Sequence, residues 1–492
     1  MFEEIKKLVK QSAIYGIGTV ATPFIGFVML PLYSRYLTPG EYGVLAVTGV
    51  VNAFLSVLIS FGANSGLIRY YFAYGEKRDK EEVVVSSLAF CLLASIACIL
   101  LFLLASREVS ALVFDFEKGL LYFRLVIFSA FMHAGILNCL AALRAEERPG
   151  VYSVITILSL VLTFCLNILF VVGLRRNVQG ILEAELISTT VAHVVALAIV
   201  LRGKRLAFSW LKTKQVLSFG LPLVPGSVAV IVLALSDRYF LQHFATLKDV
   251  GLFSMGFKIA TVLRILIVEP FRMAWPPYMF SVLDRHDAKE IYRKVLVYFT
   301  FACVWFGLCL SIFAREGLAI LATPPFYPAH KVVPLLVLSQ LLLGMCAVLG
   351  AGIHIMSKTK YASYASIAAA VVSVGMNFVL VPRLGMMGAA LASVVAYLTL
   401  NVLLSTISHR LYPVQHEFKR IALMFIVAFG IYGVSLAATH GRGFVTGLII
   451  KLGLVLLFPT LLYFLGFFAK QELSRLREWF SARISPRPRE PY

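Results

Sequence analysis

An all-α polytopic membrane protein with about 14 transmembrane helices is what three observations on this 492-residue chain predict. The first is composition: 60% apolar and 14% charged residues, with a mean hydropathy of +0.87. Soluble domains hold roughly 45–50% apolar and about 25% charged residues, so the surplus must face lipid. The second is a series of fourteen apolar runs, each long enough to cross a hydrocarbon layer about 30 Å thick, which takes about 20 helical residues. The third is an internal repeat that divides the first twelve runs into two sets of six.

The runs lie at 12–34, 42–66, 83–105, 120–142, 151–173, 180–201, 216–242, 250–274, 295–314, 332–354, 361–381, 385–408, 420–439 and 444–468. Lys and Arg collect on the cytoplasmic side of a membrane, so alternate connections can be compared. The set containing both termini carries 29 basic residues and the other set 10, which predicts that both termini are cytoplasmic. The first run is too long for a signal peptide and has no small-residue cleavage site before a soluble domain, so it reads as a retained span. The tail from Gln471, with Arg475, Arg477, Trp479, Phe480 and Arg483, suits either an amphipathic helix on an anionic leaflet or a solvated segment.

After the first run the chain reads Thr38-Pro39-Gly40-Glu41-Tyr42-Gly43, and after the seventh Thr246-Leu247-Lys248-Asp249-Val250-Gly251. The Thr, acid and Gly recur at one offset of 208 residues (38 to 246, 41 to 249, 43 to 251). Tyr152 and Asn167 of the fifth run have counterparts in Tyr364 and Asn377 of the eleventh. Six crossings separate the copies, so both enter the membrane in the same sense. The expectation is two six-helix lobes related by a pseudo-two-fold axis along the membrane normal. They would occupy residues 1–205 and 206–410, followed by two additional helices within 411–470 and a basic tail at 471–492.

Several function classes are excluded at this level. The seven cysteines lie inside apolar runs, with neither disulfide nor metal spacing. The net charge of +20 is scattered over short connections rather than gathered on one wetted face, which argues against a nucleic-acid partner. No phosphate-binding loop of the G-x-x-x-x-G-K-[ST] type occurs. The connections opposite the termini are short, and their few acids (Glu41, Glu108, Asp115, Glu117, Asp249, Glu316) form no metal pair. His133, His193 and His354 sit singly in runs and read as helix-packing residues. No catalytic residue, metal ligand or cofactor is therefore expected.

A charge at mid-bilayer costs about 2.5–3.5 kcal/mol on the insertion scale, so charges that persist there face water or a partner. Only six basic residues lie inside runs, and four cluster in the seventh and eighth: Arg238, Lys258, Arg264 and Arg272. The acids among them are Asp237 and Glu269. At about 100° per residue Lys258 and Glu269 share a face, Arg264 lies about 120° away, and Pro270 leaves the phase of Arg272 open. Structural salt bridges are one reading, joining Asp237 to Lys258 or to neighbours of Arg238, and Glu269 to Arg264 or Arg272. The other is an electropositive cleft that binds an anionic headgroup through Arg264, Lys258, Arg272, Arg238 and Arg69, with Asp237 or Glu269 able to carry a coupling proton. Arg264, nearest mid-depth, is the leading candidate. Polar series at one-turn spacing (Asn52, Ser56, Ser60; Thr156, Ser159, Thr163, Asn167; Ser188, Thr189, His193) read first as helix packing, as do Gly62 and Gly66. Trp275, Pro276, Pro277 and Tyr278 look like an interfacial belt.

The string from Leu30 to Gly43, with Pro31, Tyr33, Arg35, Pro39, Gly40 and Tyr42, resembles the first-loop signature of bacterial polysaccharide-biosynthesis membrane proteins, the Wzx-like O-antigen and exopolysaccharide flippases. So do Gly220-Leu221-Pro222-Leu223-Val224-Pro225, Ser236-Asp237-Arg238-Tyr239 and Ala274-Trp275-Pro276-Pro277. That family belongs to the multidrug/oligosaccharidyl-lipid/polysaccharide exporter superfamily. The resemblance implies movement of an undecaprenyl-pyrophosphate-linked glycan between leaflets of the bacterial inner membrane by alternating access. It also implies a polysaccharide polymerase and chain-length components as partners. A cation-coupled multidrug exporter and the peptidoglycan-precursor (lipid II) flippase share this plan. The exporter reading expects a carboxylate in the first helix, and none lies between Ser12 and Arg35; Glu183 and Glu185 are the nearest first-lobe acids.

Overall fold

The computed structural model describes residues 26–114, 118–439 and 442–467, which form helices joined by short connections, with no strand among them. The described end of the first run closes with α1, Leu30–Tyr36. Thirteen helices long and apolar enough to span a membrane follow: α2 (Pro39–Ala73), α3 (Lys77–Leu104), α4 (Gly119–Ala145), α5 (Pro149–Gly173), α6 (Asn177–Leu201), α7 (Trp210–Phe244), α8 (Leu247–Ser281), α9 (Ala288–Ile312), α10 (Val333–Ile355), α11 (Lys360–Leu384), α12 (Met386–Leu411), α13 (Phe418–Thr439) and α14 (Phe444–Phe464). They coincide in order with runs two to fourteen. Several start earlier than the apolar run, as α3 does at Lys77, because charged good helix formers carry the first turns out of the lipid. The tail from Gln471 and the first run up to residue 25 lie outside the described residues.

The repeat written in the sequence is a pair of helix caps. Thr38 accepts the Glu41 N–H while the Glu41 carboxylate accepts the Thr38 N–H at 2.8 Å, closing a capping box at the start of α2. Thr246 does the same work for α8, accepting the Asp249 N–H at 3.1 Å and donating its hydroxyl to Asp249 at 2.6 Å. Such caps satisfy backbone donors that a helix start leaves orphaned. Short helices at Ser106–Val113 and Ala314–Leu321 follow α3 and α9 at equivalent places. The end of the molecule with these features is the capped end; the opposite end, with residues 74–76, 146–148, 202–209 and 283–287, is the basic end.

Two six-helix lobes are related by a pseudo-two-fold axis along the membrane normal, and the first halves of α2 and α8 cross at that axis. Gly43 and Gly251 permit the crossing. Elsewhere the helices are interrupted where the sequence forbids regular bonding. α2 breaks at Phe61 and Gly62, both left-handed at φ 49° and 67°. α7 tightens into a 3-10 turn at Leu221–Leu223, beside Pro222 and Pro225. α8 widens into a π segment at Arg264–Val268, just before Pro270, whose missing N–H leaves an α-helical bond unmade. α7 consequently divides its allegiance: residues 210–220 pack on the second half of α2 and on α3, and residues 224–244 foremost on α11, then on the first half of α2 and on α12. The additional helices α13 and α14 pack beside α9, where the Trp305 indole donates to the Val455 carbonyl at 3.1 Å. Lys451, a charge buried in α14, is neutralised by Glu316 at 2.7 Å.

One expectation is corrected here. Trp275 is no interfacial residue: it is 3% exposed, lies 5.7 Å from the Phe271 ring and 5.6 Å from Tyr292, and donates to the Ala347 carbonyl at 3.1 Å. An indole fills volume and brings its own donor, so a packed gap with a free carbonyl suits it as well as a headgroup does. Tyr278 remains exposed.

Candidate functional site

A cavity of about 730 Å³ lies between the lobes. Its walls come from the segment entering α1 and from α2, α4, α5 and α6 on one side, and from α7 and α8 on the other. Its size falls in the roughly 300–1,000 Å³ range of small-ligand sites. It reaches from Tyr152, in the first turn of α5 near the basic end, to Tyr33, Tyr42 and Asn167 towards the capped end.

The capped end is closed. Tyr42 is buried and meets the Phe326 ring edge-on at 5.8 Å, with Tyr33 6.5 Å away on its other side. Two hydrogen bonds cross between lobes there: Thr323 Oγ1 donates to the Ser34 carbonyl at 2.7 Å, and Gln242 Nε2 to the Val113 carbonyl at 2.6 Å.

Arg238 and Lys258 bring positive charge to the cavity wall. The Arg238 guanidinium lies 4.6 Å from the Phe257 ring centre and 5.7 Å from that of Phe253, which satisfies it by cation–π attraction without a carboxylate. Lys258 makes no ion pair among the described residues. Gly26 gives its ammonium room, since a β-carbon there would lie 3.1 Å from Lys258 Nζ. One carboxylate shares the wall, Glu185 of α6, whose Oε1 accepts from Asn52 Nδ2 at 2.8 Å. The cavity thus holds two cations against one acid.

Hydroxyl and amide groups line the first-lobe side. Thr156, Ser159, Thr163 and Asn167 present one stripe of α5 to the cavity, joined by Thr189 of α6. Thr163 also donates to Ser188 at 2.7 Å, so packing and lining are not exclusive. Asn52 and Ser56 are buried between α2 and α4, and His193 is pressed against Gly135 of α4, where a β-carbon would meet its ring at 2.1 Å.

The remaining candidates from the sequence lie elsewhere. Arg264 and Arg272 both approach Glu269, at 3.6 and 3.4 Å, about a third to a half exposed. In a regular α-helix residues five apart diverge by about 140°; the π segment beginning at Arg264, with its i→i+5 bonding, turns less per residue and brings Arg264 nearer in phase to Glu269. The salt-bridge reading of the sequence, Glu269 with Arg264 or Arg272, is met by both arginines, although phase at about 100° per residue alone sets Arg264 and Glu269 apart. Arg69 is exposed on α2, 5.5 Å from the Phe219 ring, and does not border the cavity. Asp237 turns away from its neighbour Arg238 into the second lobe, 1% exposed, accepting from Asn377 Nδ2 at 2.8 Å and from the Ser393 hydroxyl at 2.5 Å. Read from sequence, Glu185 is only one of the nearest first-lobe acids; the signal for a larger role is its position within one turn of Ser188 and Thr189 on a helix otherwise rich in Ala, Val and Leu.

The comparisons agree with this architecture. A family model described as "Polysaccharide biosynthesis protein" matches residues 8–283. A Haemophilus influenzae protein named "Uncharacterized membrane protein" is 25% identical over 289 residues, 57% of this chain and 67% of that one. Among solved structures, the lipid II flippase MurJ in an inward closed conformation superposes with a TM-score of 0.73 at 14% identity, covering 92% of this chain and 99% of its own. An inward-facing multidrug resistance MATE family transporter of the MOP superfamily gives 0.65 at 16% identity, covering 81% and 95%. At such identities the likeness is one of fold.

Proposed function

This chain belongs to the polysaccharide biosynthesis protein family, and from that premise we propose that it is a flippase which moves an undecaprenyl-pyrophosphate-linked oligosaccharide from the cytoplasmic to the outer leaflet of a bacterial inner membrane. The observation that carries the proposal is the inter-lobe cavity with Arg238 and Lys258 on one wall and a hydroxyl-rich stripe on the other. A sugar hydroxyl costs roughly 4–8 kcal/mol to strip into alkane without a partner, so several hydroxyls and a pyrophosphate need such a passage. Guanidinium and ammonium groups pair with the phosphates, α5 offers hydrogen bonds to the sugar, and the prenyl tail stays in lipid.

The excess of basic residues at one end supports a cytoplasmic basic end and cytoplasmic termini. With the capped end closed, the cavity is arranged to load from the cytoplasm. The work is transport without a covalent step, a resident cofactor or a metal, and its product would pass to a polymerase with its chain-length components. Asp237, held by Asn377 and Ser393, is the better placed of the two coupling candidates, because Glu269 is shared by two arginines.

The test is the leaflet on which lipid-linked glycan accumulates in cells lacking the protein. Accumulation on the cytoplasmic leaflet, reversed by the wild-type chain but not by Arg238→Gln/Lys258→Gln, is expected; accumulation on the outer leaflet overturns the proposal. A second reading, a cation-coupled exporter of cationic compounds, is favoured by Glu185 in the cavity. Drug sensitivity of cells lacking the protein, relieved by wild type and not by Glu185→Gln, would select it.

A further inference from the structure

We propose that the basic end of the first lobe contains a separate site for a phosphate group, presented either by an anionic lipid headgroup or free in solution. A cavity of about 540 Å³ opens there between the starts of α3 and α5 and the end of α6, sharing no residue with the inter-lobe cavity. Five bases line it, Lys77, Lys80, Arg148, Arg202 and Lys204, against two acids, Glu81 and Glu146, leaving a net charge of +3. Both acids are engaged. Glu146 pairs with Lys204 at 2.6 Å and Arg148 at 3.5 Å, and Glu81 with Lys77 at 3.8 Å. Lys80 and Arg202 have no ion pair among the described residues, and Lys80 rests 5.4 Å from the Tyr71 ring centre.

Unbalanced bases converging on one polar hollow repel one another, and an anion between them removes that repulsion. A phosphate matches the geometry, since guanidinium and ammonium groups can share its oxygens. The lipid source is supported by Phe72, Leu206 and Phe208, which stand 52–76% exposed on the flanking segments and give acyl chains an apolar border. Basic pockets between helices at this depth are headgroup sites in other membrane proteins.

The test uses the full chain in neutral detergent, with native mass spectrometry after adding phosphatidylglycerol or phosphatidylcholine, and thermal unfolding with and without inorganic phosphate. Wild type should retain phosphatidylglycerol over phosphatidylcholine. Lys80→Gln/Arg202→Gln should reduce that retention more than about tenfold, and Lys80→Arg/Arg202→Lys should restore it. Arg285→Gln, which removes a base bound to Asp287 in another connection, should leave retention unchanged. Protection by inorganic phosphate, lost in the double Gln variant and without selective lipid retention, would assign the free anion as the ligand. Equal retention of both lipids by wild type and the double Gln variant, with no protection by phosphate, overturns the site.

Discussion

Gly43 and Gly251 press backbone on backbone across the pseudo-two-fold axis. A β-carbon on Gly43 would lie 1.9 Å from the Leu247 carbonyl oxygen, and one on Gly251 1.8 Å from that of Pro39. The two glycines occupy equivalent places in the repeat, so each clears the path for the other's helix. The first prediction follows from that reciprocity. Gly43→Ala or Gly251→Ala forces the first halves of α2 and α8 apart, at about 1–3 kcal/mol in a well-packed site. Each should lower the thermal unfolding midpoint in detergent. Each should also make a cysteine placed at Ser34, beside the Thr323 contact, more reactive to a water-soluble maleimide.

Neutralising the cavity cations should separate transport from folding. Arg238→Gln and Lys258→Gln should each reach the membrane at wild-type abundance while surface glycan falls severely, measured by glycan immunoblot against membrane protein level. Glycan at wild-type level with both residues changed would remove the cationic cavity from the mechanism.

The Arg264–Glu269–Arg272 group yields a different pattern. Its members are 31–44% exposed, so a double-mutant cycle on Arg264→Ala and Glu269→Gln should return a coupling below about 1 kcal/mol in denaturation. Arg264→Ala should nonetheless lower glycan export while the protein still reaches the membrane. Unchanged export with Arg264, Lys258 and Arg272 neutralised together would refute a role for their charge.

Asp237 distinguishes an anchor from a coupling group. Asp237→Ala leaves the Asn377 amide and Ser393 hydroxyl without their acceptor in a buried site, a loss of about 1–3 kcal/mol that unfolding should register. Asp237→Asn retains an acceptor and should be milder in stability. A drop in export with Asp237→Asn, without loss of folded protein, is the outcome expected of a coupling role.

His416, in the connection between α12 and α13, gives a pH prediction. Burial, followed by the neighbouring His409, pushes its pKa down from 6.5 to about 4. The folded state therefore favours the neutral ring. Its contribution is full above the unfolded pKa and is lost progressively as pH falls from about 6.5 towards about 4. The unfolding midpoint of His416→Gln should fall less between pH 7 and pH 5 than that of wild type.

The spans were legible because lipid demands an apolar run of fixed length, and the repeat because capping demands a Thr and an acid at set spacing. Thr38 with Glu41 and Thr246 with Asp249 therefore stood out before any coordinates. The site was less legible for two reasons. Helix phase is readable only while the helix is regular, and the π segment at Arg264 re-phased the group around Glu269. Burial of a polar residue depends on partners distant in sequence, as when Asn52, 133 residues away, holds Glu185 at the cavity wall.

The divided packing of α7 has a mechanical corollary. Gly62 and Gly220 interlock, with either β-carbon falling within 2.3 Å of the other's carbonyl oxygen, so the lower segment of α7 is bolted to the first lobe. The upper segment is keyed chiefly to α11, with the first half of α2 and α12 alongside it. Rocking of one lobe against the other then bends α7 at the Leu221–Pro225 joint while its upper segment shifts against the first half of α2, making that proline-flanked elbow the axle of the machine and its stiffness a brake on turnover.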